Sequence, residues 1–258
     1  RSSVIGETSG GPSTIEPPLT IETSTRYVID VGAGGGGTPN SFGSAGFTSS
    51  INNTASGGSQ NIISTGGGYG AGGSGNGGAS GGNGGSGGGG NGYPTGPAQT
   101  VSGGNKTASP VQGTDGGDAY TLSSAFPAGG GGGAGQTAQN IPGQPSESQS
   151  DGGDGLASSI TNSAVTRGGG GGASVNAPAP GRSGLGGTGG GGDTASNGTA
   201  NTGGGGGGVH AGNTQGHGGS GIVIIRSKTQ AASATVSATT YGDYYLYSFT
   251  AAGGIEWS

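Results

Sequence analysis

The chain has 258 residues, of which 74 are glycine, 26% are hydrophobic and 7% are charged, with a formal net charge of −5. An ordinary globular domain carries roughly 45–50% apolar and about 25% charged residues, so a conventional oily core of this size is excluded. Seven basic residues leave no electrostatic footprint for nucleic acid, zero cysteines remove disulfides and thiolate metal sites, and no run approaches the ~18 apolar residues of a membrane span.

In chain order, residues 1–31 form a β-rich N-terminal region. After Pro17-Pro18, Thr20-Ile21-Glu22-Thr23 and Arg26-Tyr27-Val28-Ile29-Asp30-Val31 alternate as half-buried strands do. Residues 32–221 are a glycine-rich body in which glycine blocks near 32–37, 66–91, 128–135, 168–172, 183–192 and 203–208 alternate with segments of more varied sequence. Residues 222–258 return to strand character. Ile222-Val223-Ile224-Ile225 is a continuous apolar run, and Tyr245, Tyr247 and Phe249 alternate with Leu246 and Ser248. A chain that starts Arg1-Ser2-Ser3-Val4 and holds no methionine is expected to be processed or a segment of a longer protein.

Composition alone also fits a flexible Gly/Ser coil, so order requires cohesion from elsewhere. Collagen is excluded, because glycine comes in blocks rather than at every third position and only 12 prolines occur. The remaining ordered form is a bundle of polyglycine-II helices. Each has three residues per turn and no internal hydrogen bonds, so every N–H and C=O must find a partner on a neighbour. The predicted fold is irregular and β-like: such a bundle with apical loops, short β-strands at both terminal regions, and essentially no α-helix, since glycine disfavours helix and no 3.6-residue periodicity is present.

Several segments carry a resemblance. Tyr27-Val28-Ile29-Asp30-Val31 followed by Gly32-Ala33-Gly34-Gly35-Gly36-Gly37, the stretch from Gly155-Leu156 through Val165-Thr166-Arg167, and Gly218-Gly219-Ser220-Gly221 with Ile222-Val223-Ile224-Ile225-Arg226 resemble the glycine-rich domain of phage tail-fibre and appendage proteins. The architecture is similar to the polyglycine-II adhesins of T-even-type phages. The resemblance implies a non-enzymatic virion protein of the tail fibre, extracellular in action. Its loops would recognise a bacterial outer-membrane protein or glycan, and its partners would include other fibre subunits or copies of itself. Tyr247-Ser248-Phe249-Thr250 and Gly253-Gly254-Ile255-Glu256-Trp257 are similar to the strand pair that opens such a unit. At the C-terminal side of the chain they are expected to complete a neighbouring unit by β-augmentation, with Tyr245, Tyr247, Phe249, Ile255 and Trp257 as the assembly residues.

For recognition, the aromatics Phe42, Phe47, Tyr93, Tyr120 and Phe126 lie in the varied segments, where rigid amphipathic rings among Asn, Ser and Gly resemble an antibody paratope. The alternative is that these rings cap the ends of the bundle. His210 and His217 flank one loop and join the candidate set, the bland alternative being two solvated histidines. The repeated Asp-Gly-Gly-Asp at Asp115/Asp118 and Asp151/Asp154 offers weak calcium candidates; turn chemistry explains it equally well. Gly84-Gly85-Ser86-Gly87-Gly88 matches a nucleophile elbow only by chance at this glycine density, so neither enzyme activity nor a cofactor is expected. A purely structural fibre, filament or decoration subunit is the main alternative, and ice binding a remote third.

Overall fold

A computed structural model describes residues 1–39, 41–53, 61–72, 78–92, 99–120, 128–140, 150–174, 183–208 and 215–258. These contain no helix. The strands are β1 (Thr25–Asp30), β2 (Ser49–Asn53), β3 (Ile62–Ser64), β4 (Thr100–Val101), β5 (Ala119–Tyr120), β6 (Leu156–Ser158), β7 (Val165–Arg167), β8 (Val223–Ser227), β9 (Ser233–Ala234), β10 (Thr239–Tyr241), β11 (Tyr244–Phe249) and β12 (Gly253–Trp257).

The two terminal regions, joined by β2 and β3 from the glycine-rich body, form one β module. A five-stranded sheet runs β3-β2-β1-β12-β9 and a three-stranded sheet runs β10-β11-β8. Tyr27, Ile29, Ile255 and Trp257 of the first sheet meet Tyr247 and Phe249 of the second in a buried apolar cluster. The rings pack edge to face, Tyr27 against Trp257 at 6.0 Å and Tyr247 against Trp257 at 6.4 Å, the geometry that aromatic quadrupoles prefer. Their polar tips are bonded: the Trp257 Nε1–H donates to the Thr229 carbonyl, and the Tyr247 hydroxyl accepts from the Ala231 N–H.

Two expectations change here. Thr20–Thr23 is not a strand; Leu19 and Ile21 lie against the apolar cluster, and the Glu22 N–H donates to the Tyr27 hydroxyl. The C-terminal pair, expected to serve a neighbour, is used within the chain. β12 is bonded on one edge to β1 and on the other to β9, and β11 lies between β10 and β8. Tyr247, Phe249, Ile255 and Trp257 are buried and Tyr245 half-buried, so neither the edges nor the rings of these strands are left for β-augmentation.

Between the sheets' lattice-facing ends, the glycine body is held by backbone bonds that recur every three residues. Gly68 and Ala71 donate to Ser86 and Gly89, Gly87 and Gly90 to Thr114 and Gly117, and Gly152 and Gly155 to Leu185 and Thr188. The intervening residues bond elsewhere. Gly88 donates to Gly82, and Gly153 to Gly131. A β-strand has a two-residue side-chain period and two bonded neighbours. Here the 86–91 strand bonds to five others: 66–71, 79–85, 102–105, 114–117 and 129–134. The 168–173 strand also has five, namely 129–134, 150–155, 184–188, 189–192 and 203–208. Three-fold repetition with lateral bonds on nearly all sides is the polyglycine-II lattice. Glycine is required inside it because a Cβ on Gly88 or Gly170 overlaps the carbonyl of Tyr69 or Gly131.

Candidate functional site

The polarity of these strands decides where the loops emerge. The end that joins the β module is the base and the opposite end is the tip. The chain climbs from Gly32 at the base to Gly37, and Ser44 and Phe47 bond back to Gly36 and Ala33, bringing it down into β2. By the same registers, strands 66–71, 86–91, 114–117, 168–173, 189–192 and 203–208 climb. Strands 79–85, 102–105, 129–134, 150–155, 184–188, 195–199 and 215–221 descend. The described ends of six long connections, at 72 and 78, 92 and 99, 120 and 128, 140 and 150, 174 and 183, and 208 and 215, therefore lie at the tip, whereas those of the β2–β3 connection, at 53 and 61, lie on the β-module side. The base carries tight turns, the β6–β7 hairpin, and residues 1–16, docked through Gly11 N–H on the Ala134 carbonyl and Ser159 N–H and Oγ–H on Glu7.

Phe42 is at the tip, about half exposed, with Tyr69 edge to face at 5.8 Å. The Thr38 Oγ1–H donates to its carbonyl at 2.6 Å. Tyr120 is half-buried at the tip, paired with Thr100 in the β4–β5 ladder. His217 sits near the tip, where its N–H donates to Asn197 Oδ1 and its Nδ1 accepts from Gly37 N–H. Phe47, 68% exposed, lies at the base, so the structure separates it from Phe42. Tyr93, Phe126 and His210 lie outside the described residues. Tyr69, inside a glycine block and supporting Phe42, is the residue that sequence reasoning missed.

The four aspartates serve the lattice. Asp115 Oδ1 accepts from Lys106 N–H at 2.8 Å and Asp118 Oδ1 from Gly103 N–H at 2.9 Å. Asp151 Oδ1 accepts from Leu185 N–H at 2.7 Å, and Asp154 Oδ1 from Thr188 N–H and Oγ1–H at 2.8 Å. The three-residue spacing within each Asp-Gly-Gly-Asp matches that of the amides they cap. Each carboxylate stands in for a carbonyl where a strand has lost its outer neighbour. Asn83, Asp193 and Asn197 act likewise toward Asn105, Gly186 and His217. This replaces the calcium reading with a lattice-edge role; among the described residues no group of three or more His, Cys, Asp or Glu is placed to hold a metal.

The sequence also matches a family model described as a glycine-rich domain, over residues 3–228. The chain belongs to this glycine-rich domain family. No curated protein and no solved structure matches it.

Two carboxylates of the glycine-rich domain are tuned by these contacts. The Lys106 backbone N–H, with its ammonium at 3.0 Å, holds the Asp115 carboxyl below its ordinary value against a modest burial penalty. Burial opposes ionisation of Glu7, but the Ser159 hydroxyl and amide and the Ser158 and Ser2 hydroxyls outweigh it, and its pKa also falls. A depressed folded pKa contributes stability that is present above the unfolded value, near 4, and is lost as pH falls through the folded one. Urea unfolding should therefore show stability flat from neutral pH to about 5 and declining below about 4. Asp115→Asn should flatten that decline; an unchanged acid limb would show that Asp115 has no part in it.

Proposed function

We propose that this glycine-rich domain is a non-enzymatic recognition module of a phage tail fibre that binds a bacterial surface receptor through the tip of its lattice. The observation that supports this most is the convergence of six long, compositionally varied connections at one end, opposite the β module, with a single one, between β2 and β3, on the other side. A bundle that only needed to be rigid would connect its strands as tightly at the tip as at the base. Loops on a rigid scaffold are the usual place for binding residues, and the lattice supplies rigidity without an apolar core. The structural-subunit alternative relied on free terminal strands; with β11 and β12 bonded on both edges, it is the weaker reading.

Labelled domain incubated with a panel of bacterial strains should bind a subset saturably. Phe42→Ala with Tyr120→Ala should weaken that binding by about tenfold or more, in the range of aromatic interface anchors. Phe47→Ala, an exposed ring at the base, should leave it unchanged. Binding to no strain, or equal loss with Phe47→Ala, would remove the tip from consideration.

A further inference from the structure

The lattice is not filled. Eight of its strands form a closed circuit: 32–37, 41–47, 66–71, 86–91, 129–134, 168–173, 203–208 and 215–221 are bonded each to the next, and the last to the first through Gly218 and Gly221 on Gly35 and Gly32. These same strands line a cavity of about 920 Å³ that continues past them to residues 1–5, the β6–β7 hairpin and β8. In hexagonal packing a strand has six neighbours. The 86–91 and 168–173 strands have five each, and the missing one lies on the cavity side, between their two partners in the circuit. Six strands enclose one vacant lattice site, and eight enclose two.

The cavity walls carry lattice groups without lattice partners. The carbonyls of Gly66 and Tyr69 accept from Gly85 and Gly82, on the outer side of the circuit. A trans peptide turns its N–H opposite to its C=O, so the N–H groups of Gly67 and Gly70 face inward. Gly89, Gly171 and Gly206 do the same, opposite the carbonyls of Gly88, Gly170 and Gly205, which accept from Gly104, Gly187 and Gly192. None of these five N–H groups has a hydrogen-bond partner among the described residues. Buried backbone donors such as those of Gly89 and Gly171 need partners, and Gly67 and Gly70, exposed on the cavity wall, present theirs at the three-residue repeat of a polyglycine-II strand. The walls also hold glycine where the present neighbours do not demand it: a Cβ on Gly70 meets nothing within 4 Å.

We propose that this cavity is a binding site for an extended, glycine-rich hairpin from a second polypeptide, whose two strands take the vacant lattice positions. At about 4.8 Å between bonded strands and about 3.1 Å per residue, two six-residue strands fill roughly 750 Å³, most of a cavity that also extends beyond the lattice. Such a partner is inserted by backbone bonds alone, so it must be small-side-chained at nearly every position. The site is independent of the tip and does not rest on receptor binding.

The test uses the intact domain, ¹⁵N-labelled, and a synthetic hairpin of two hexaglycine arms joined by Asn-Gly with a terminal lysine at each end. Saturable binding is expected, with amide exchange at Gly67, Gly70 and Gly206 slowing by about tenfold or more on saturation while Gly68 and Ala71, already bonded, change little. The same hairpin with valine at every third arm position should not bind. Absence of saturable binding, equal binding of the valine hairpin, or binding that leaves the Gly67 and Gly70 amides exchanging as before would each overturn the proposal.

Discussion

Gly88→Ala is expected to lower the unfolding free energy by at least about 3 kcal/mol, the upper part of the range for overpacking a rigid interior. The new methyl overlaps the Tyr69 carbonyl, which is backbone and has no rotamer in which to escape. Moving the 66–71 strand aside would stretch the bonds that Gly82 and Gly85 make to it, so the cost spreads through neighbours at the three-residue spacing. For a chain of this size that amounts to a drop of roughly 6–12 °C in melting temperature. Gly70→Ala is the control. Its Cβ enters open space and its φ is one that alanine adopts, so the smaller conformational freedom of the unfolded chain should raise stability by about 0.4–1 kcal/mol. Calorimetry of the two variants reads both signs. Equal destabilisation would mean that glycine is needed here for its flexibility rather than for the close approach of backbones.

The second large effect is expected in the β module. Trp257→Ala should cost about 3–5 kcal/mol, as large aromatic truncations in packed interiors do. Trp257 is 2% exposed, touches both Tyr27 and Tyr247, and donates to Thr229. It sits in a cluster with Tyr27, Ile29, Tyr247, Phe249 and Ile255, whose side chains are held by the two sheets and collapse only partly into the space it leaves. Tyr241→Ala, on the exposed β10, should stay within about 0.5 kcal/mol, as surface changes do. Chemical denaturation followed by tryptophan fluorescence for the tyrosine variant and by near-ultraviolet circular dichroism for both makes the comparison. A Trp257→Ala loss no larger than that of Tyr241→Ala would show that the terminal regions are held by strand pairing alone.

Much of the architecture was legible. Blocks of glycine without a collagen repeat pointed to laterally bonded three-fold strands, because the steric freedom of glycine and the obligation to pair backbone groups act locally at every residue. The Asp-Gly-Gly-Asp spacing equals one three-residue turn of such a strand, and in the structure each pair of carboxylates caps amides three residues apart on a neighbour. Their partners were not legible: whether Asp115 faces a cation or the amide of Lys106 depends on which strand lies alongside. The same limit explains β2 and β3. Ser49–Asn53 holds a single isoleucine, and nothing in its own pattern announces that Asp30 and Ser64 will flank it.

The sequence by itself determined the conformation of the backbone, the absence of helix, and which residues of the terminal strands share a face. Only the tertiary structure decided that β12 pairs with β1 in the same chain, that Phe42 and Phe47 lie at opposite ends, and that the lattice closes around a vacant centre. The division has one physical cause. Backbone conformation and side-chain alternation follow from contacts within a few residues, whereas a glycine strand presents nearly identical donors and acceptors to every neighbour. Its partners are chosen by the connections and edge side chains of the whole chain, and a local pattern carries no record of that choice.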